Sequence, residues 1–193
     1  MDDKLQNLID ECRRSLTEAG TNPEHPWRLF TAANVDISNR PQSRYVVLRD
    51  TSFEKSCEVT FFTDQRSIKV LALRKRPAVS LCFFDPLARL QLEIKAEAEL
   101  HNQDEVSKEY WERTHWRSLQ CYYMQEAPGE KLPSPFMLKP EALTEDQAYR
   151  YFTVVKCTVN AWDILLLKSE GNQRAVCKFD ETGQVKNADW IVP

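Results

Sequence analysis

The sequence predicts a mainly β protein of the α+β class, a small antiparallel barrel with peripheral helices. Three observations lead there. Residues 89–100, RLQLEIKAEAEL, alternate strictly, with Leu90, Leu92, Ile94, Ala96, Ala98 and Leu100 on one face and Arg89, Gln91, Glu93, Lys95, Glu97 and Glu99 on the other. A period of two over such a run marks an antiparallel strand with one wet face. Several more strand-like runs follow one another at short intervals, joined by polar links such as NRPQ and TSFEKS, as hairpin strands are. Helical spacing is confined to a few segments, which places helices around a barrel rather than between parallel strands.

Leu5, Leu8, Ile9, Cys12 and Leu16 fall at helical spacing, so residues about 3–17 form an amphipathic helix that AGTNPEHP ends. The strands expected next are LFTAANVD (29–36), SRYVVLRD (43–50), CEVTFFTD (57–64), AVSLCFFD (78–85) and the alternating run just described. One short helix, from Arg66 to about Lys75, interrupts them, with Arg66 and Lys69 on a shared face. A helical and loop insertion is expected over about 104–150: a helical region from Asp104 to Tyr123, an irregular proline-rich loop from Pro128 to Pro140, and a short helix in TEDQAYRYF. YFTVVKCTVNAWDILLL (151–167), QRAVCKFD and ADWIVP return to β. At 193 residues the chain is expected to form one domain, 1–193.

A formal net charge of −3 and a pI near 5.7 argue against nucleic acid as the main partner, although a local basic patch can still meet a small anion. A barrel with exposed Phe61, Phe62, Phe83 and Phe84 beside a basic helix could stack single strands, but the glutamates of 89–100 oppose it. The N-terminus shows no basic-then-apolar signal and no apolar run approaches a membrane span, so a cytoplasmic protein without a membrane partner is expected. The six cysteines form no CxxC pair and are expected to be reduced.

Much chemistry is excluded. The four glycines allow neither GxGxxG nor GxxxxGK[ST], and no GxSxG exists for a nucleophile elbow. His25, His101 and His115 stand alone, and no Cys/His set has zinc spacing, so no metal is expected. What remains is TFFTDQRSIKVLALRKRP (60–77), the most basic stretch of the chain. Side chains can hold a phosphate with two or three cations, a hydroxyl and a helix N-terminus, and Arg66, Ser67 and Lys69 offer those parts. Arg44 and Arg49 could join from a neighbouring strand. Simple alternation sends them to opposite faces, so only one would reach the same ligand unless the strand twists or bulges.

ANVDISNRPQSRYVVLR (33–49), FFTDQRSIK (61–69), RPAVSLCFFDPLARLQLEIKAEAEL (76–100) and a terminal W-x-x-P at Trp190–Pro193 together resemble the pyridoxamine 5′-phosphate oxidase-like flavoproteins. The specific part is the order R-P-x-S-R-x-V-x-L, then [YF]-T-D-x-R-S-x-K, then R-x-Q-x-x-I-x-x-x-A-E. The resemblance implies an antiparallel six-stranded split β-barrel, an FMN cofactor, and a homodimer with the flavin between subunits. It implies that Arg44, Tyr45, Val46, Val47 and Leu48 lie against the flavin and its phosphate, and that Phe62 and Thr63 border ring and tail. Arg66, Ser67 and Lys69 would hold the phosphate, Gln91 would bond near the isoalloxazine ring, and Lys178 stands where the family has a flavin-contacting Arg.

Departures from the true oxidases concern the substrate. They carry Arg where this chain has Ile68, Lys where it has Arg49, and an Arg-x-His where it has Arg174, Ala175 and Val176. Their Tyr, Arg and Ser for the substrate phosphate match only ambiguously, to Tyr110, Arg113 or Ser118. The resemblance therefore implies a kept flavin site and an altered vitamin-B6 site, hence an FMN-dependent oxidoreductase acting on another small molecule. The alternative is a flavin- or haem-related binding protein without turnover. The flavin would carry the chemistry, so no catalytic residue is nominated. Arg49 and Arg174 are the candidate substrate contacts, and Trp116 or Trp190 candidate walls.

Overall fold

The computed structural model describes residues 2–54, 56–132 and 143–193. The described residues contain eight strands: β1 (Leu29–Val35), β2 (Pro41–Ser52), β3 (Glu58–Asp64), β4 (Ala78–Asp85), β5 (Leu90–His101), β6 (Phe152–Leu166), β7 (Gln173–Phe179) and β8 (Val185–Ile191). All pair antiparallel, in the order β3-β2-β1-β4-β5-β6-β7-β8. A further pairing of β3 with the first half of β6, from Glu58↔Thr158 to Asp64↔Phe152, closes six of them into a barrel. The second half of β6 leaves the barrel and carries β7 and β8 as an extension. Closure removes the exposed edges of β3 and β6 that an open sheet would leave.

The alternation anticipated for 89–100 is seen in β5, whose Leu90, Leu92, Ile94, Ala96 and Ala98 are buried while Lys95, Glu97 and Glu99 face solvent. Inside the barrel, Trp27, Phe30, Phe61 and Phe83 form one aromatic group, with Phe30 stacked on Phe83 at 4.5 Å and edge-on to Phe61 at 6.1 Å. Truncating such a buried ring to Ala costs about 3–5 kcal/mol.

Helix α1 (Asp3–Thr21) runs four residues past the expected end. It lays Leu5, Leu8, Ile9, Cys12 and Leu16 on the barrel, and Asp2 caps its N-terminus. Helix α2 (Ile68–Lys75) starts two residues later than expected. The Asp64 carboxylate accepts from the Arg66 amide at 2.7 Å, so 64–67 is a turn and Ser67 the N-cap. Arg66 therefore precedes the helix and does not share a face of it with Lys69.

A second apolar layer covers the outer side of β3 and β6. Helices α3 (Glu105–Arg113), α4 (Trp116–Leu119) and α5 (Glu145–Tyr151), with a 3-10 turn at Gln120–Tyr123, pack Tyr110, Trp111, Leu119, Tyr122 and Ala148 against Phe152 and Val154. Capping boxes at Asp104 and Thr144 start α3 and α5. Most of the expected proline-rich loop lies outside the described residues. Among the described residues no helix is long and apolar enough to cross a membrane.

Candidate functional site

Two cationic sites lie at the ends of one stretch of β2. The first is at an end of the barrel, under α2. Arg44 shares the inward-facing parity of Val46 and Leu48 and donates to the Asn34 side chain. Thr63 ends the inward row of β3, and its hydroxyl receives Lys69 Nζ at 2.6 Å and lies 3.3 Å from the Ser67 hydroxyl. Burial lowers the Lys69 pKa, and the Arg44 charge lowers it further. Burial also lowers that of Arg44. Among the described residues neither cation is paired with a carboxylate, since Asp64 is engaged by Arg66. The Ser67 side chain makes no capping bond to α2, which leaves the first amides of that helix open.

The second site exists because β2 bulges. Leu48 pairs with Phe61, but Asp50 pairs with Thr60, so two residues of β2 oppose one of β3. A bulge turns successive side chains the same way. Arg49 and Asp50 both reach the α3–α4 layer and line a cleft of about 390 Å³. Across it, Asp50 Oδ2 accepts from the Tyr110 hydroxyl at 2.8 Å and from Arg113 Nη2 at 2.7 Å. Burial first, then this Asp50 bond, push the Tyr110 phenol up to about 12. Arg49 donates to Ser118 Oγ at 3.1 Å, and its guanidinium lies 5.2 Å from the Phe62 ring. Its Nε is buried without a partner among the described residues. Arg28, held by the carbonyls of Ala19 and Gly20, adds a third guanidinium, its pKa lowered by burial and then by the Arg49 charge.

The remaining expected residues fall elsewhere. Arg66 gives Nε and Nη2 to Asp64 at 3.0 and 2.7 Å and Nη1 to the carbonyls of Met124 and Gln125, and it stacks 3.7 Å over Tyr151. Tyr45 is exposed, and Val46 and Leu48 point into the core. Val47, of the opposite parity, pairs with Leu29. Gln91, Arg174 and Lys178 lie on the outward rows of β5 and β7, opposite in parity to the buried Leu90, Leu92, Ala175 and Cys177. Arg174 is tied to Asp163 by two bonds of 2.9 and 2.7 Å. Trp116 is exposed, and Trp190 bonds to Asp2, so neither is a core residue. Sequence reasoning missed Arg28 and Asp50. Neither sits in a motif, and the Asp50 orientation depends on a bulge that no pattern announces.

Residues 10–102 match the model of the pyridoxamine 5′-phosphate oxidase FMN-binding domain. Over that stretch, just under half of the chain, the sequence is similar to this family. A pyridoxine/pyridoxamine 5′-phosphate oxidase of Neisseria meningitidis is 28% identical over 140 residues, which are 72% of this chain and 64% of the relative. The chain thus spans less than two thirds of the length of the curated relatives it matches. A pyridoxamine 5′-phosphate oxidase-related, FMN-binding protein from Nostoc punctiforme has the same fold, with TM-score 0.70 and 20% identity over 100% of this chain and 98% of that one. So does PhzG from Burkholderia lata, solved with tetrahydrophenazine-1-carboxylic acid, with TM-score 0.72 and 15% identity over 96% and 92% of the two chains. The distance to the curated oxidases fits a branch apart from them. Ile68 is 70% exposed and takes no part in the Arg44–Lys69 cluster.

The donor set fits the group this family's domain is named for. Two half-buried cations, two hydroxyls and open helix amides suit a phosphate. Among the described residues no three His, Cys, Asp or Glu side chains gather as metal ligands.

Proposed function

We propose that the chain binds FMN and works as an FMN-dependent oxidoreductase on a small anionic molecule. The observation that carries this reading is the Lys69–Arg44 pair, two desolvated cations beside Thr63 and Ser67 with no carboxylate partner among the described residues. An anion is the group that would relieve both charges. From Arg44 to Arg49, β2 covers roughly 16 Å at strand rise. That length suits a flavin with its phosphate at the barrel end and its ring near the cleft.

Bound FMN supplies two-electron chemistry, and the protein supplies orientation, charge and water exclusion. Lys69, Arg44, Thr63 and Ser67 would hold the phosphate. Arg49, Arg28 and Ser118 would draw the anionic substrate into the cleft, and Phe62 would give it an apolar wall. Gln91, Arg174 and Lys178 are outward-facing on β5 and β7, and a second copy of the chain would bring such residues to a shared site. Tyr45 (77% exposed), Leu29 (56%) and Phe84 (47%) give the outer face an apolar character that suits a homodimer. All six cysteines are free, which suits a reducing compartment such as the cytoplasm.

The test is a visible spectrum of the purified protein, with and without added FMN, alongside thermal unfolding. Retained flavin absorbance and a stabilisation of about 2.7 kcal/mol at a hundredfold excess over Kd are expected. A colourless protein that gains no stability from FMN refutes the reading.

A further inference from the structure

The cleft holds three guanidiniums, yet its hydrogen-bond donors are unequally available. At one end, Asp50 Oδ2 takes both the Tyr110 hydroxyl hydrogen and an Arg113 Nη2 hydrogen. Arg113 is occupied further, with Nη1 3.6 Å from Glu109 and the guanidinium stacked 3.9 Å from the Tyr110 ring. Two donors that could meet an anion are therefore already given to a carboxylate. At the other end, Arg49 gives one bond, to Ser118, and neither it nor Arg28 faces a carboxylate among the described residues. The bulge is what puts Asp50 here, since regular pairing would send it to the opposite face of β2 from Arg49.

The consequence is one of donor count. A carboxylate is planar and is satisfied by a single guanidinium fork. A phosphate monoester offers three oxygens and a second charge. Any of its oxygens that reach the Tyr110–Arg113 end would find those hydrogens held by Asp50 and would meet the Asp50 oxygens instead. Resting on the oxidoreductase reading above, we propose that Asp50 is a specificity residue, which closes the Tyr110–Arg113 end of the cleft to phosphate esters and confines the substrate to molecules bearing a carboxylate.

The test compares two probes of the same ring, benzoate and phenyl phosphate, titrated calorimetrically at pH 8. There the first is a monoanion and the second, with a second pKa of about 6, a dianion. The full chain is used with and without saturating FMN. The native protein is expected to bind benzoate at least about tenfold more tightly. Asp50→Asn should raise phenyl phosphate affinity at least about tenfold while moving benzoate less than about threefold. A purely structural role for Asp50 would shift both probes together. If Asp50→Asn does not fold, Arg113→Gln is read instead. It leaves the carboxylate with less counter-charge, so the preference for benzoate should sharpen. Equal affinity for the two probes, a ratio unmoved by both substitutions, or no binding of either probe overturns the proposal. Anion preference without flavin absorbance speaks against the FMN reading alone, and flavin absorbance without preference speaks against the Asp50 role alone.

Discussion

Lys69 Nζ stands 2.6 Å from Thr63 Oγ1, so a half-buried ammonium donates to a neutral hydroxyl rather than to a carboxylate. Burial and the Arg44 charge both disfavour its protonated form, with Asp64 only partly opposing them. The protein tolerates this arrangement at a cost in stability, as binding sites commonly do.

Replacing Lys69 by Met should separate binding from stability. A charge-assisted bond to phosphate is worth roughly 1.5–3 kcal/mol, so FMN affinity should fall about tenfold or more. The flavin-free protein should lose no stability, because an unpaired, desolvated cation has been replaced by an apolar chain of similar shape. Parallel urea melts and FMN titrations check this. A variant that is destabilised but binds FMN normally would place Lys69 in the framework instead.

The pH dependence has a definite sign. Lys69 has a folded pKa below its ordinary value of 10.5, so its charged form opposes folding, and that penalty fades as pH rises through the lowered pKa. A bound phosphate raises this pKa again, and binding then takes up a proton. FMN affinity should fall as pH climbs from neutrality through the lowered pKa towards 10.5. Fluorescence titrations across that range would show it, and a flat profile that persists in Lys69→Met would remove Lys69 from the phosphate site.

Arg66 should behave in the opposite way to Lys69. Its guanidinium, 17% exposed, is paired with Asp64, 9% exposed, and also bonded to two carbonyls and stacked on Tyr151. Removing one partner of such a pair costs about 3 kcal/mol. Arg66→Ala should therefore lower the denaturation midpoint strongly while changing FMN affinity much less than Lys69→Met does. A stable variant with lost FMN affinity would return Arg66 to the phosphate role expected from the sequence.

Thiol reactivity offers an independent check on the core. Burial pushes the Cys57 thiol up to about 12 and Cys177 up to about 11, and raises Cys12 and Cys157 as well. Burial raises the Cys121 thiol too, but Cys121 keeps exposed surface, so a thiol reagent near neutral pH should label it before these four, which it reaches only on unfolding. Peptide mapping after brief labelling decides it.

The strands were legible because burial on one face writes a period of two into the sequence, and β5 shows it from Leu90 to Glu99. Helix α1 was equally legible from its single apolar stripe. Lys69 and Ser67 stood out because cations and a hydroxyl crowd one turn. Local pattern could not place Arg66, whose neighbour Asp64 reads as an ordinary turn residue until both are seen folded against Met124 and Gln125.

The sequence by itself determined the alternating faces, the order of strands and helices, and the basic turn at 63–69. Those are properties of neighbours along the chain. Only the tertiary structure decided that β3 closes on β6, that Arg49 and Asp50 share one cleft, and that Tyr110, Arg113 and Ser118 meet them there. These depend on pairing register and on a one-residue bulge, and a single residue of register reverses which side of a strand each side chain takes.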